Sequence, residues 1–420
     1  MTKSALARIL ARSVLAAGPS QNDIVERAAA TLCRAWRWLR PMARRYMSAQ
    51  TRTVRWRERD VVRFLLDDPG FQRHAPGLKI TAWLHEPPQM QPIAAAANWE
   101  LPEILTARDL ARWLGVHPGE LDWFANLKGL GSGRLEHYHY RTIDKGSGEV
   151  RIVEAPKPEL KEIQRWILRE ILDKIPPHPS AHGFVMGRSI QTFATPHTGK
   201  RAVLKMDLRD FFPSIRGVRI QALFRTIGYP ETVADLLGGI CTNAVRGDVP
   251  DIYRRPHLPQ GAPTSPALAN MCAWRLDCRL LGLAKAIDAD YTRYADDLAF
   301  SGDADFDRVA VHVAAIAYEE GFAVHHRKTR VMRQGVRQRL AGLTANEKVN
   351  VIRADFDVLK ATLTNCVRSG PESQNRERHP AFRAHLEGRV AFVESVNPDK
   401  GRRLRTIMAR IVWDNINVFR

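Results

Sequence analysis

Two adjacent carboxylates, Asp296 and Asp297, lie inside the run YTRYADDLAF (residues 291–300), among tyrosine, alanine, leucine and phenylalanine. Side by side they repel, and burying either one unpaired is costly. A cation between them resolves the conflict, and so does a tight turn that sends both side chains into water. A third carboxylate, Asp207, follows a second apolar run, AVLKM. A carboxylate that closes a β-run can be aimed into a cleft while its backbone stays fixed. Two or three such groups make a hard-oxygen site suited to Mg²⁺, with Mn²⁺ as an alternative ion. Two ions so held can activate an attacking oxygen and stabilise the leaving one in an in-line displacement.

The surrounding pattern supplies elements to position these groups. RAVLKMDLRDFFPSI (201–215) begins as a strand and ends in a turn at Pro213-Ser214. YTRYADDLAFSG reads as strand, turn, strand, with the Asp pair at the tip. Between them, TSPALANMCAWRLDCRLLGLAKA starts a helix with Ser265 as N-cap and Pro266 at the first helical position. Upstream, YRTIDKGSGEVRIVEAP (140–156) reads as a hairpin turning at Gly146-Ser147-Gly148. Leu160, Ile163, Ile167 and Ile171 then mark a helix, and residues 106–126 two short ones with Thr106 as N-cap. A helix is expected from about 304 to 320, and mostly helix from 354 onward.

The strings around the carboxylates resemble the signatures of reverse transcriptases. Tyr294, Ala295, Asp296 and Asp297 match Y-x-D-D, and MDLRDFFPSI resembles the first carboxylate motif, with Asp207. LPQGAPTSPALANM resembles L-P-Q-G…S-P, and GFAVHHRKTRVM the following lysine motif. The four occur in order over roughly residues 140–345. The resemblance implies that Asp207 and Asp296 bind the metals, with Asp297 supporting. It also implies that Phe212 is the steric gate that selects dNTPs and that Gln260 touches the incoming nucleotide. Lys145 and Arg151 match the triphosphate-holding residues, a role that suits a guanidinium, and Lys328 matches a group facing the leaving pyrophosphate. Asp210 falls where the family often has a second acid.

Finer matches point to the retron-type enzymes of bacteria. SAHGFVMGRSIQTFATPHTGK (180–200) resembles their H-G-F…S-I segment, and Ala194 and His197 match N-A-x-x-H, although Phe193 replaces the asparagine. In RLAGLTAN (339–346) only Gly342 of the retron V-T-G is kept. The tail resembles the retron thumb, which grips a structured RNA. The implied fold is an α+β right-hand polymerase with fingers, an antiparallel palm sheet and a helical thumb. Implied partners are dNTPs, a cognate structured RNA of the msr-msd type with its cDNA product, and a separate effector in anti-phage defence. Another prokaryotic reverse transcriptase, of defence-associated or intron-like lineage, and a catalytically silent RNA-binding scaffold are the competing readings.

Composition agrees with a polyanionic partner. The 420 residues carry 64 Lys and Arg against 45 Asp and Glu, a net charge of +19 that self-repels unless an anion compensates it. Residues 22–66 are helical in pattern and interleave arginines with Trp36, Trp38, Tyr46 and Trp56, which suits either nucleic acid or a solvated helix with aromatic core contacts. Candidate RNA contacts are Arg34, Arg37, Arg44 and Arg45 there, Arg402 and Arg403 in the tail, and His197, which reads equally as a satisfied core histidine. The expected organisation is a basic helical extension and linker over 1–100, fingers over 101–200, palm over 201–345 and an RNA-binding thumb over 346–420. Five scattered cysteines suit a reducing cytoplasm without zinc or disulfides, and no run approaches membrane-spanning length.

Overall fold

The computed structural model describes residues 2–16, 20–32, 34–49, 56–80, 89–96, 98–127, 136–144 and 150–413. Lys145 and the Gly146-Ser147-Gly148 turn lie outside them. The chain divides into two compact units, Met1–Met90 and Gln91–Arg420. Among the described residues no helix is long and apolar enough to cross a membrane.

The smaller unit is helical because its apolar residues recur at three- and four-residue intervals. Helices Lys3–Leu15, Gln21–Thr31, Leu39–Ala49, Glu58–Asp67 and Pro69–His74 surround a core that includes Leu6, Leu10, Ile24, Leu39, Met42, Leu65 and Phe71. Trp38 and Tyr46 belong to that core, and Trp36 and Trp56 pack against it. The aromatic residues therefore hold the unit together, while Arg34, Arg37 and Arg44 face solvent. Arg34 lies over the Trp36 ring, 4.9 Å from its centroid. Arg45 is instead committed to a fork on buried Asp68, at 2.8 and 2.6 Å. Asp68 also caps the following helix by accepting from Phe71 N–H.

In the larger unit, Gln91 N–H donates to Gly228 C=O at 2.8 Å, so the expected linker begins by docking here. Thr106 caps helix Ala107–Leu114 in a capping box with Asp109, and Gly115 ends it in the left-handed region. After helix Pro118–Ala125 come strands β1 (Tyr138–Asp144) and β2 (Val150–Pro156), an antiparallel pair in which Ile143 faces Arg151. Helix Pro158–Glu170 buries Leu160, Ile163 and Ile167, as their spacing requires.

The central sheet is antiparallel. It contains β3 (Ala202–Arg209), β4 (Asp290–Tyr294), β5 (Asp297–Gly302), β6 (Ala323–Val324) and β7 (Arg330–Arg333). Its order is β4-β5-β3-β6, with β7 also pairing with β3. Seven of the eight β3 residues, from Ala202 to Leu208, are buried or half-buried, which is why the strand reads as an almost unbroken apolar run. Helices Trp274–Ala286 and Phe306–Glu319 pack on this sheet. A small sheet of β8 (Arg339–Leu340), β9 (Leu343–Thr344) and β10 (Asn350–Val351) leads into helices Arg353–Ser369, Phe382–Val396 and Pro398–Met408. These three share a core of Leu359, Leu363, Leu386, Val390 and Leu404.

Two local readings shift. Pro213-Ser214 completes a single helical turn, Phe211–Ser214. The later helix starts at Ser265 itself, with Thr264 at the N-cap position. The Ser265 hydroxyl does not cap; it donates 2.7 Å to Pro259 C=O and so anchors the Gln260 loop.

Candidate active site

Sheet register brings the three carboxylates together. Asp207 on β3 is directly opposite Asp297 on β5, and Asp296 occupies the β4–β5 turn. That turn is fastened to β3, because Leu208 N–H donates to Asp296 C=O at 2.8 Å. All three line one cavity of about 400 Å³ with Arg151, Phe212, Gln260 and Lys328. The sequence-expected residues thus converge, Lys145 excepted as undescribed.

Electrostatics in the cavity are strained. Burial pushes the Asp296 carboxyl above its ordinary range, and the Asp207 charge pushes it further. Burial also raises Asp297, opposed by the ammonium of Lys205. Lys205 Nζ lies 3.0 Å from Asp297 Oδ1. Lys328 Nζ lies 3.0 and 3.1 Å from the two oxygens of Asp207. The Lys328 segment is placed by His325 N–H, which donates 2.7 Å to Asp207 C=O.

Buried and half-buried carboxylate oxygens whose repulsion calls for positive charge are the donor chemistry that a hard divalent cation selects. Among the described residues no group of three or more His, Cys, Asp or Glu side chains is disposed to hold an ion. Two of the three carboxylates, Asp297 and Asp207, pair with Lys205 and Lys328, which offsets part of their mutual repulsion.

The turn carrying Asp296 rests on a network the sequence reading missed. Ala295 has φ +55°, a left-handed conformation uncommon for a residue with a side chain. Gly183 presses against it; a Cβ there would stand 2.5 Å from Ala295 N. Arg293 is fully buried and satisfied. Its Nε and Nη2 fork onto Asp277 at 2.8 and 2.7 Å, and its Nη1 donates to Asn270 Oδ1 and Ala295 C=O, each at 3.0 Å. Asn270 Nδ2 donates to Gly183 C=O at 2.9 Å, closing the circuit. The available signal was a cation in the middle of an otherwise buried strand.

Around the cavity rim, Gln260 is placed through its backbone, whose C=O accepts from Glu154 N–H on β2 at 2.9 Å. Gly261 makes the close approach possible; at φ +136° its Cβ would stand 2.8 Å from Glu154 C=O. Glu154 is buried against His257 at 2.9 Å, and Asn243 Nδ2 donates to it at 2.7 Å. The strand bearing Arg151 and the loop bearing Gln260 are thus one rigid piece. Phe212 is half-buried beneath them, its ring 5.5 Å from that of buried Phe211. Asp210 also lines the cavity, in a left-handed conformation at φ +48°.

The candidate RNA contacts divide. Arg402 and Arg403 are exposed on their helix, and Arg402 pairs with Asp399. His197 is fully buried under the sheet, with Nδ1 bonded to Ser301 Oγ and Nε2 to Thr292 Oγ1, each at 2.7 Å. With both nitrogens occupied in the core it offers nothing to an RNA, and the expectation of a surface contact is corrected.

Residues 143–352, which hold the carboxylate cavity, match the family Reverse transcriptase (RNA-dependent DNA polymerase). The retron Mx65 reverse transcriptase of Myxococcus xanthus is 42% identical over 320 residues, covering 74% of this chain and 73% of that protein. The retron Mx162 enzyme of the same organism is 39% identical, covering 72% and 66%. The retron Ec86 reverse transcriptase of Escherichia coli is 33% identical, covering 65% and 81%. The chain therefore belongs to the retron reverse transcriptases, enzymes that polymerise DNA on an RNA template.

Proposed function

We propose that the cavity around Asp207, Asp296 and Asp297 is the polymerase site and that this enzyme copies part of a cognate structured RNA of the msr-msd type into msDNA. The observation that supports this reading is the convergence of three carboxylates with Arg151, Gln260 and Phe212 in one cavity. Asp207 and Asp296 would hold divalent metal, Mg²⁺ by donor chemistry with Mn²⁺ as a substitute, and Asp297 would support them. Such ions, when bound, supply Lewis acidity to the attacking and leaving oxygens.

The chain's own residues do the remaining work. Arg151 presents a planar fork to the triphosphate, with Lys145 as its proposed partner there. Phe212 excludes a 2′-hydroxyl by its bulk at the cavity floor. Gln260 touches the nucleotide from a loop that Gly261 and Ser265 hold in place. Lys328, which pairs with Asp207, is within reach of the same cavity and would face the departing pyrophosphate.

Residues 101–200 then act as fingers, 201–345 as palm and 346–420 as a thumb that grips RNA through Arg402 and Arg403. In the basic extension over 1–100, Arg34, Arg37 and Arg44 add phosphate contacts. Reduced cysteines, four of them free among the described residues, suit a cytoplasmic enzyme. A role in anti-phage defence with a separate effector protein is part of this reading, and the retron kinship supports it.

The test is Mg²⁺-dependent dNTP incorporation by protein purified with the RNA of its native locus, beside Asp296→Asn/Asp297→Asn. Incorporation from one discrete structured RNA, lost in the variant, is expected. Undiminished incorporation by the variant would refute the assignment of the site, and a heterogeneous RNA population would refute the cognate template.

A further inference from the structure

The cavity mouth carries one residue that is unfavourable twice over. Phe184 adopts φ +60°, an outlier for a bulky side chain, and leaves half of its surface exposed. Neither condition improves folding, and a strained residue persists only where its surroundings over-determine it. Here they do. Gly183 is wedged against the Ala295 turn, His182 N–H donates to Arg293 C=O at 2.7 Å, and Asn270 holds Gly183 C=O. On the far side Arg188 Nη1 ties the loop to Pro179 and Ala181 carbonyls at 2.7 and 2.5 Å. The loop is therefore a rigid mount for an exposed ring.

The direction of that ring identifies what it meets. Its centroid lies 6.0 Å from that of Phe212 and 6.4 Å from that of Tyr294, both lining the carboxylate cavity. Two residues on, Met186 is 99% exposed, which extends the apolar surface outward. A flat apolar face at the edge of a strongly cationic chain suits a nucleobase, since aromatic rings stack on any base while arginines and lysines take the phosphates.

We infer that Phe184 is a substrate-contacting residue that packs against a nucleobase of the template–product duplex where it enters the cavity. This rests on the reading of the cavity as the polymerase site. Stacking of this kind is worth roughly 5- to 100-fold in affinity per base. The strain supplies a control, because glycine adopts positive φ freely.

The experiment compares the full-length protein with Phe184→Gly, Phe184→Ala and Phe184→Trp. It measures anisotropy of a labelled RNA–DNA primer–template duplex without dNTP, the KM for dNTP during extension, and the thermal midpoint. Phe184→Gly and Phe184→Ala should bind the duplex roughly 5- to 100-fold more weakly. Phe184→Gly should melt no lower than the parent, and Phe184→Trp should bind like the parent. Unchanged duplex affinity in the glycine and alanine variants would overturn the inference, as would a loss confined to the KM for dNTP, which would assign the ring to the incoming base. Failure of tryptophan to restore binding would overturn it too. Duplex binding is read without chemistry, so it stands apart from the Asp296→Asn/Asp297→Asn result that tests the site itself.

Discussion

Arg293 offers a way to separate positioning from stability. Its guanidinium, buried with Asp277, also donates to Asn270 and to the carbonyl of Ala295 beside Asp296. Arg293→Met leaves the buried Asp277 carboxylate without its cation, held only by the Tyr291 hydroxyl, at a cost of about 3–5 kcal/mol in unfolding free energy. Arg293→Met/Asp277→Leu/Tyr291→Phe removes the whole polar cluster, including the Tyr291 hydroxyl that donates to Asp277 at 2.8 Å. Replacing a buried ion pair by apolar groups of similar volume is often neutral, so the triple variant should recover most of that stability. The turn should not recover. The Ala295 carbonyl loses its donor, worth about 1–3 kcal/mol when buried and unsatisfied, while its left-handed φ still costs roughly 1–2 kcal/mol. Those two together favour a relaxed turn that displaces Asp296. The φ cost is shared with the parent, so the lost donor sets the change, and at tenfold per 1.4 kcal/mol the triple variant should lose roughly 5- to 150-fold in kcat. Urea denaturation reads stability, and single-nucleotide incorporation on a saturating primer–template reads the turn. A triple variant that regains both stability and kcat would refute the reasoning and leave Arg293 an ordinary core residue.

Two further outcomes follow from the geometry. In Gly261→Ala, a methyl 2.8 Å from Glu154 C=O at a φ that disfavours side chains must push the Gln260 loop off β2; the KM for dNTP should rise several-fold, and an unchanged KM would show that the loop and Arg151 are not rigidly joined. Burial pushes the His197 imidazole from an ordinary 6.5 down to about 4, so between those pH values the unfolded chain binds a proton that the native chain refuses. Stability should therefore fall as pH drops through that window, by about 3 kcal/mol at most from this group. His197→Gln should flatten the acid limb of a plot of denaturation midpoint against pH, and an unaltered slope would count against a neutral buried imidazole.

Much of this enzyme is legible in one dimension because its determinants are local. Apolar periodicity places helix Pro158–Glu170, Thr106 and Asp109 cap a helix three residues apart, and the Asp pair marks the β4–β5 turn. The ordered motifs around Asp207, Gln260, Asp296 and Lys328 identify the family without coordinates. What escaped depends on residues distant in sequence. Whether Trp38 and Tyr46 meet RNA or a core is decided by which face of each helix its neighbours cover, and they meet a core. The motif around His197 reads equally as an RNA contact or a core histidine until the sheet closes over it and supplies Ser301 and Thr292. Lys205 looks like a break in an apolar strand until β5 brings Asp297 beside it. The sequence alone determines which chemical groups are present and the local elements that carry them. The tertiary fold decides their charge partners, because an ion pair or a clamped turn needs side chains that only packing brings within 3 Å.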